Sequence, residues 1–381
     1  MERFSTVSDM LKAWQPARPI YCVYEHVYRK TASDFVAGFP GRVLYAVKAN
    51  NEPAVIRLLN EGGVVNFDCA SLKEIELINQ ICPGATCYFM VPVRLRGAAQ
   101  QAFEKYAVRH FMIDHPRGIP LLAREIDMSK CVVFARMAVH HKAAMQDLSS
   151  KYGARPEEIP DLLNTIKDLG AEPALAFNVG SSVTSPDAYR YAISKAVDVL
   201  GQVPFKVRLI DIGGGYPRAY PDFQVPPLDD YFAAITEAMQ SLPLAPGGEL
   251  LAEPGRALAA PGLSAVVEVL LRKSDRLYIN DGMYGVFWEL RFKEHKRYPV
   301  RVYRHGELLT GETKPFTLYG PTCDATDVLT GEVTLPIDIT EGDYLEFGNI
   351  GSYSLSGRTD FNGFFSEHII GIDSPAARQP E

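Results

Sequence analysis

Short apolar runs alternate with amphipathic segments from about residue 28 to residue 265. The runs have the length of buried strands, and the segments between them carry apolar residues at the three- and four-residue spacing of helices. One such segment is SPDAYRYAISKAVDVL, residues 185–200. The pattern predicts eight strands, at RVLYAVK (42–48), VVNFD (64–68), TCYFM (86–90), RHFMID (109–114), CVVFARM (131–137), PALAFNV (173–179), KVRLID (206–211) and ELLAE (249–253).

Eight strand–helix units in succession predict an α/β fold, a (β/α)₈ barrel of the TIM type. A doubly wound open sheet is the alternative, although that fold would more usually break the count. After residue 266, strand-like runs joined by Gly and Asp turns indicate a second, β-rich domain. We therefore expect the barrel over residues 26–265 and the β-rich domain over residues 1–25 and 266–381. Within the first segment, PIYCVYE (19–25) is expected to add an edge strand.

Composition narrows the classes of function. Hydrophobic residues make up 47% of the 381 residues and charged residues 22%, as in an ordinary soluble protein. The net charge of −7 argues against a nucleic-acid surface, with KEHKRYPVRVYRH (293–305) as one basic exception. No apolar run resembles a signal core or a membrane span. The six cysteines lack metal-binding spacing, which indicates reduced thiols in the cytoplasm and no metal site.

The first predicted strand ends in a lysine, Lys48, after the apolar run at residues 43–47. Lysine is seldom buried without a partner. A single lysine in this place is most simply explained by a stem that lies along the protein while the amine reaches water. The alternative is an amine whose pKa is lowered by desolvation, so that it can form a Schiff base. The residues at the other strand ends decide between the two.

Polar residues end most of the predicted strands. In a barrel of this type the active site lies at the C-terminal face, where the strand ends converge. One charge at a strand end is common and needs no function. A whole set on one face indicates a site, and its members are Lys48, Asp68, Asp114, Arg136, Asn178, Asp211 and Glu253.

Two of the loops at this face are suited to bind an anion. DIGGGYP (211–217) has Gly213, Gly214 and Gly215 directly after a strand, and EPGR (253–256) follows the next strand. These are the loops after the seventh and eighth strands, the recurrent phosphate site of such barrels. A phosphate-bearing cofactor together with a strand-end lysine suggests pyridoxal 5'-phosphate, which needs an amine and an acid beside its ring nitrogen. Lys48 and Glu253 fit these two requirements.

Seven motifs in order along nearly the whole chain resemble one known family: YAVKAN, FDCASLKEIE, FNVGSS, DIGGGYP, EPGR, GPTCDATDVL and GSYS. The sequence resembles the fold type III, ornithine decarboxylase-like enzymes that use pyridoxal phosphate, a group that includes ornithine, lysine and diaminopimelate decarboxylases. The resemblance implies an alanine racemase-like barrel with a C-terminal β-rich domain. It also implies amino-acid decarboxylation and a place in polyamine biosynthesis.

The resemblance assigns roles to particular residues. Lys48 looks like the lysine that carries the cofactor, with Asp68 close to it and Arg136 near the cofactor. Glu253 resembles the partner of the pyridine nitrogen. The phosphate-binding set resembles the glycine loop with Ser181, Gly215, Gly255, Arg256 and Tyr353.

Two further residues are implied to act in a neighbouring subunit. Cys323 resembles the cysteine that governs protonation after carbon dioxide leaves, and Asp324 resembles the acid that binds the distal amine of the substrate. Active sites of this kind are shared, so the resemblance implies a head-to-tail homodimer. For Cys323 the alternative is a small buried hydrophobic residue, as most free cysteines are.

The chain departs from the family pattern at two positions. Where most of these enzymes have a histidine stacked on the cofactor ring, this chain has Asn178, which can lie on the ring but cannot carry a positive charge. Lys293 stands where the ornithine and lysine enzymes have an aspartate for the distal ammonium. Either Lys293 faces solvent and Glu294 or Glu289 takes that role, or the distal group of the substrate is not a bare ammonium.

Two rivals to an α-decarboxylase stay open. An amino-acid racemase of the same fold class is disfavoured, because racemases place an arginine at the ring nitrogen where this chain has Glu253. A catalytically impaired regulatory relative is disfavoured by the presence of Lys48, Glu253 and Cys323, while Asn178 keeps it open.

Overall fold

The computed structural model describes residues 1–291 and 297–373. Eight parallel strands form a closed barrel in the predicted chain order, and the last strand pairs with the first. The (β/α)₈ prediction is therefore confirmed, and the open-sheet alternative is wrong. The strands are Gly41–Ala46, Asn66–Cys69, Thr86–Phe89, His110–Ile113, Val132–Met137, Glu172–Phe177, Leu209–Asp211 and Glu249–Ala252.

Helices surround the barrel and cover the outer face of its strands. Local signals in the sequence start several of them: Ser71 accepts a hydrogen bond from the Glu74 amide at 3.2 Å, which caps one helix, and a proline opens another at Pro53–Glu61. The helices of the barrel region are Glu25–Gly38, Pro53–Glu61, Leu72–Ile81, Ala98–Lys105, Gly118–Ala123, Ile159–Asp168, Asp187–Leu200, Leu228–Met239 and Arg256–Ala259. The helix Val7–Trp14 precedes them.

The interior of the barrel is packed with side chains. Leu44, Phe134 and Leu251 belong to a buried cluster inside the ring of strands, and outward residues such as Tyr45 and Phe67 pack in the larger core. Each strand is thus buried on both faces, which explains why the sequence shows continuous apolar runs rather than alternation. Bound molecules are accordingly confined to the ends of the strands.

A ten-stranded sheet forms the second domain. Its strands are Arg3–Phe4, Ile20–Val23, Leu263–Lys273, Arg276–Ile279, Val300–Arg304, Glu307–Leu308, Thr313–Tyr319, Val333–Pro336, Tyr344–Phe347 and Ile369–Ile372. The strand Ile20–Val23 pairs with two neighbours, Leu263–Lys273 and Ile369–Ile372, so the expectation of an edge strand there is wrong in detail. The residue boundaries expected for the two domains stay a prediction.

Two further features of the fold concern membrane-spanning helices and the cysteines. No helix in residues 1–291 and 297–373 is long and apolar enough to cross a membrane. Five cysteines are buried, whereas Cys323 is exposed. The alternative interpretation of Cys323 as a small buried hydrophobic residue is therefore wrong for the chain by itself.

Candidate active site

A cavity of about 460 Å³ opens at the C-terminal ends of the barrel strands. This is large enough for a small cofactor with a substrate. Loops from distant parts of the sequence line it, together with one loop of the sheet domain. The predicted residues among its lining are Lys48, Arg136, Asn178, Ser181, Gly214, Gly215, Glu253, Gly255, Arg256 and Tyr353.

Lys48 lies in a short 3₁₀ turn, Val47–Ala49, just after the first barrel strand. Its Nζ donates a hydrogen bond to Oδ2 of Asp68 at 2.8 Å, and Asp68 is almost fully buried. The sheet domain fixes this turn, because the Tyr353 amide donates to the Ala49 carbonyl at 2.7 Å and the Ser356 hydroxyl donates to the Lys48 carbonyl at 2.9 Å. The amine is thus held at a defined point of the cavity wall.

The charge state of Lys48 differs from the expectation. Burial by itself would lower the pKa of Lys48, but the carboxylates of Asp68 and Glu253 outweigh it and raise the pKa above its ordinary value. The expected lowered pKa is therefore wrong for the chain alone. Lys48 is held as an ammonium ion, and it becomes a nucleophile only when its proton is taken away.

Buried acids lie beside Lys48. Burial raises the pKa of Glu253 well above its usual value, and the nearby carboxylates of Asp211 and Asp68 raise it further. Burial also raises the pKa of Asp211 to about 7, although Oδ1 accepts a hydrogen bond from the Gly213 amide at 2.8 Å. Among the described residues, no donor reaches Glu253 Oε1, Asp211 Oδ2 or Asp68 Oδ1, while the carboxyl groups of Glu253 and Asp211 contact each other. A buried carboxyl oxygen that accepts no hydrogen bond from a donor of the described residues fits a protonated ring nitrogen at this wall.

The glycine loop has no room for side chains. Gly213 and Gly215 have φ of +72° and +101°, and a Cβ at Gly213 would lie 2.5 Å from the Phe177 carbonyl oxygen. A Cβ at Gly214 would lie 2.6 Å from the Glu253 carbonyl oxygen. Gly214 and Gly215 line the cavity, whereas Gly213 serves the packing of neighbouring loops and accepts a hydrogen bond from the Glu253 amide at 2.8 Å. The loop therefore brings backbone close to any bound group, as a phosphate cradle requires.

Arg256 is buried at the cavity wall. One terminal nitrogen, Nη2, donates to Oε1 of Glu289, and the guanidinium carbon lies 5.3 Å from the centre of the Tyr353 ring. The other two nitrogens, Nε and Nη1, have no hydrogen-bond partner in the described part of the chain. Buried donors without acceptors are rare, so this arrangement fits a phosphate group next to the glycine loop.

Three further predicted residues occupy different places. Arg136 lines the cavity and lies over the Tyr152 ring at 5.7 Å. Asn178 lines it too, but its Oδ1 accepts a hydrogen bond from the Gly180 amide at 2.9 Å, so the side chain also braces its own loop. Asp114 does not line the cavity. Its carboxylate accepts from the Gly153 amide at 3.0 Å and supports a loop instead.

Cys323 and Asp324 do not line this cavity. On the sheet domain Cys323 is exposed and Asp324 is half-buried, and Asp324 accepts hydrogen bonds from the hydroxyl of Tyr284 and from the Thr326 amide. These bonds, together with the nearby charge of Arg291, lower the pKa of Asp324. The buried Asp327 fixes this loop, because its Oδ2 accepts hydrogen bonds from the amide and the hydroxyl of Thr322 at 3.1 and 2.7 Å. Lys293 and Glu294, which the sequence also singled out, lie outside the described residues.

Sequence reasoning named two participants, Asp211 and Glu289, without finding their roles. Asp211 appeared only as a strand end, and its position beside Glu253 follows from the pairing of neighbouring strands. Glu289 was considered as an acid for the distal ammonium, which is wrong, because it is buried against Arg256. No local signal identifies that pair, since the two residues lie in different domains and meet only in the folded chain.

Two family models match the chain. The model described as "Pyridoxal-dependent decarboxylase, pyridoxal binding domain" matches residues 25–260. The model described as "Pyridoxal-dependent decarboxylase, C-terminal sheet domain" matches residues 262–351. Together they cover both the barrel with its cavity and most of the sheet.

Curated proteins and solved structures with high similarity agree with these matches. A lysine/ornithine decarboxylase of Selenomonas ruminantium is 34% identical over 354 residues, with 89% of this chain and 86% of that protein covered. Antizyme inhibitor 2 of Xenopus laevis is 30% identical, over 84% of this chain and 73% of that protein. A crystal structure of a mutant of SrLDC in complex with PLP has a TM-score of 0.84 and 28% identity, and covers 98% of this chain and 96% of that one.

The buried acid Asp211 predicts how stability depends on pH in the cofactor-free protein. Its pKa is higher in the folded chain, about 7, than the ordinary value of 3.8, so the folded state holds a proton that the unfolded state has lost. The free energy of unfolding should therefore fall as pH rises from 3.8 to about 7, by at most about 4 kcal/mol. In Asp211→Asn this decline should be smaller, as measured by thermal unfolding at several pH values. Parallel curves for the variant and the wild type would contradict the assignment.

Proposed function

The chain belongs to the family of pyridoxal-dependent amino-acid decarboxylases, and from that premise we propose that it removes the α-carboxylate of a basic or polar amino acid to give an amine. The substrate is of the ornithine and lysine type or a modified derivative of it. One observation carries the proposal: a single cavity combines the Lys48–Asp68 pair, the buried acid Glu253 and the unpartnered donors of Arg256. A racemase is disfavoured, because an acid rather than an arginine stands at the ring-nitrogen position.

The residues divide into those that hold the cofactor and those that handle protons. Arg256, Gly214, Gly215, Ser181 and Tyr353 would bind its phosphate. Lys48 would hold its carbonyl carbon. Pyridoxal phosphate, when bound, supplies a conjugated ring that stabilises the negative charge left at Cα when carbon dioxide departs.

Proton transfer is assigned to groups already placed by the fold. Asp68 accepts a hydrogen bond from the Lys48 ammonium at 2.8 Å, so it can stabilise that charge and take the proton when the amine must act as a nucleophile. Burial, followed by the neighbouring acids, raises the pKa of Glu253, so its carboxyl group binds a proton more readily than that of an ordinary glutamate. Glu253 would lie beside the ring nitrogen of the bound cofactor as its acidic partner.

Protonation of Cα is assigned to Cys323 of a second subunit. Cys323 is exposed and lies away from the cavity of its own chain, with Sγ 3.4 Å from Oδ1 of Asn362. The apolar side chains of Phe361 and Phe364 beside it are 39% and 46% exposed. An exposed apolar surface next to an exposed thiol supports a homodimer with two shared sites.

The distal group of the substrate is assigned to the surface around Asp324. Asp324 is the acid expected to meet a distal nitrogen, yet the guanidinium of Arg291 lies nearby, over the Tyr284 ring at 4.2 Å. The guanidinium of Arg291 gives this surface a positive charge that would repel a distal ammonium. We therefore favour a distal group that is polar but less cationic than that of ornithine, or one that bears its own carboxylate.

A second candidate is a catalytically impaired regulatory protein. The similarity to a protein named as an antizyme inhibitor, together with Asn178 in place of histidine, favours keeping it. The presence of Lys48, Glu253 and Cys323 favours the enzyme. A cytoplasmic location and a role in polyamine biosynthesis complete the proposal, supported by the unpaired cysteines and by relatives named ornithine decarboxylase.

Carbon-dioxide release from a panel of L- and D-amino acids tests the proposed function. The protein with pyridoxal phosphate should release carbon dioxide from at least one L-amino acid, and Lys48→Ala should abolish turnover because the cofactor-holding amine is lost. After borohydride reduction, peptide mapping should find the pyridoxyl mass on the peptide that contains Lys48. A label on another lysine would refute that assignment. Cofactor binding without turnover on any amino acid would favour the regulatory candidate.

Shared active sites predict complementation between inactive variants. If Cys323 acts in the partner's site, mixing Lys48→Ala with Cys323→Ala protein should restore about a quarter of the activity, the statistical value for random pairing at a two-fold interface. Subunit exchange is verified separately by mass spectrometry of the mixed dimers. Mixtures that stay inactive although mixed dimers form would place Cys323 in the site of its own subunit.

The proposed distal group of the substrate predicts how a Lys293 variant should behave. Ornithine and lysine should be poor substrates of the wild type. Repulsion between a lysine and the distal ammonium, where water does not shield it, lowers kcat/KM by about 10²-fold or more. Lys293→Asp should raise kcat/KM for ornithine at the expense of the native substrate. Wild-type protein that already decarboxylates ornithine at the rates of a dedicated enzyme would show that Lys293 does not face the substrate.

A further inference from the structure

A buried ion pair connects the loop after the eighth barrel strand to the sheet domain. Arg256 begins the short helix after the eighth strand, and Glu289 lies in the 3₁₀ turn Trp288–Arg291. Their side chains are 6% and 7% exposed. Glu289 Oε2 also accepts a hydrogen bond from the hydroxyl of Tyr298 at 3.2 Å, so the carboxylate is held in place from its other side.

The charge of Arg256 needs a counter-ion because it is buried. Among the described residues, Glu289 is the one acid that forms an ion pair with it. Burial would lower the pKa of Arg256, but the Glu289 carboxylate outweighs this and keeps the pKa above its ordinary value. Removing one member of a buried pair leaves an uncompensated charge, which is strongly destabilising. Glu289 thus maintains a charged guanidinium at the cavity wall when no anion is bound there.

A phosphate group at Arg256 would share this cation with Glu289. The two unpartnered nitrogens of Arg256, Nε and Nη1, remain as donors for the phosphate while Nη2 stays with the carboxylate. A carboxylate and a phosphate on one guanidinium repel each other, and the repulsion is strong where water is excluded.

We propose that Glu289 is a built-in counter-ion of the phosphate site, which stabilises the cofactor-free protein and weakens the binding of the phosphate group. The inference rests on the proposed function only in that a phosphate binds beside Arg256. It does not depend on decarboxylation. A residue that merely oriented Arg256 would have the opposite effect, since its loss would weaken phosphate binding.

The variant Glu289→Gln separates the two effects, because the amide keeps the shape and one hydrogen-bond acceptor but removes the charge. The probes are inorganic phosphate, pyridoxal phosphate and unphosphorylated pyridoxal, titrated into cofactor-free protein by calorimetry. We expect phosphate and pyridoxal phosphate to bind about tenfold more tightly to the variant, with pyridoxal unchanged. The melting temperature should fall without phosphate and recover more with phosphate than in the wild type.

Glu346→Gln is the matched control. Glu346 is another buried glutamate of the sheet domain, and it accepts hydrogen bonds from the hydroxyls of Tyr24 at 2.6 Å and Tyr303 at 2.9 Å. Its loss should lower the melting temperature with and without phosphate alike, and should leave phosphate affinity unchanged.

The outcomes distinguish this inference from the proposed function. Unchanged or weaker phosphate binding in Glu289→Gln would overturn it, whether or not the protein releases carbon dioxide. Tighter binding supports it even if no amino acid is decarboxylated. Should Glu289→Gln fail to fold, Glu289→Asp withdraws the carboxylate by one methylene and is expected to tighten phosphate binding by a smaller factor, with weaker binding again overturning the inference.

Discussion

Closure of the barrel between its first and last strands is the constraint on which the site depends. The strand Glu249–Ala252 pairs in parallel with Gly41–Ala46, and beyond the ladder the Ala46 amide donates to the Pro254 carbonyl at 3.1 Å. This pairing places residues some 200 positions apart side by side at one end of the barrel. Lys48 and Glu253 therefore share one cavity wall, and the glycine loop after the seventh strand is their neighbour. An open sheet of the same strands would leave them at opposite edges.

The second constraint on the site is that its charged groups need partners of opposite charge. Lys48 at the cavity wall is paired with the buried Asp68, and the buried Arg256 with the buried Glu289. Burial raises the pKa of both Glu253 and Asp211, and the Asp211 carboxylate raises that of Glu253 further. Such groups are costly to bury, and the unpartnered atoms among them lie where a charged ligand would complete the arrangement. The site is thus organised around charges that a bound molecule satisfies.

The sheet domain supplies residues to the site at the end of the barrel. It holds the turn of Lys48 through Tyr353 and Ser356 and supplies Glu289 to Arg256. On its outer surface, the turn that carries Glu289 ends at Arg291, which lies over the Tyr284 ring beside Asp324. One short turn therefore carries both a buried acid for the phosphate site and an exposed cation for the proposed substrate surface.

The barrel, the order of its strands and the charged residues of the cavity wall follow from the residue pattern and the motifs, whereas the segment that contributes Gln146, Leu148 and Tyr152 to the cavity does not. Strands buried on both faces appear as continuous apolar runs, and polar residues that interrupt such runs at their ends must converge when the strands are parallel. The charge state of Lys48 could not be derived in this way, because it depends on how close two carboxylates approach the amine in space. The partnership of Glu289 with Arg256, the loop-supporting role of Asp114 and the internal position of the strand Ile20–Val23 were likewise decided by tertiary structure. Each depends on contacts between segments that are distant in the chain, and neither periodicity nor local spacing records such contacts.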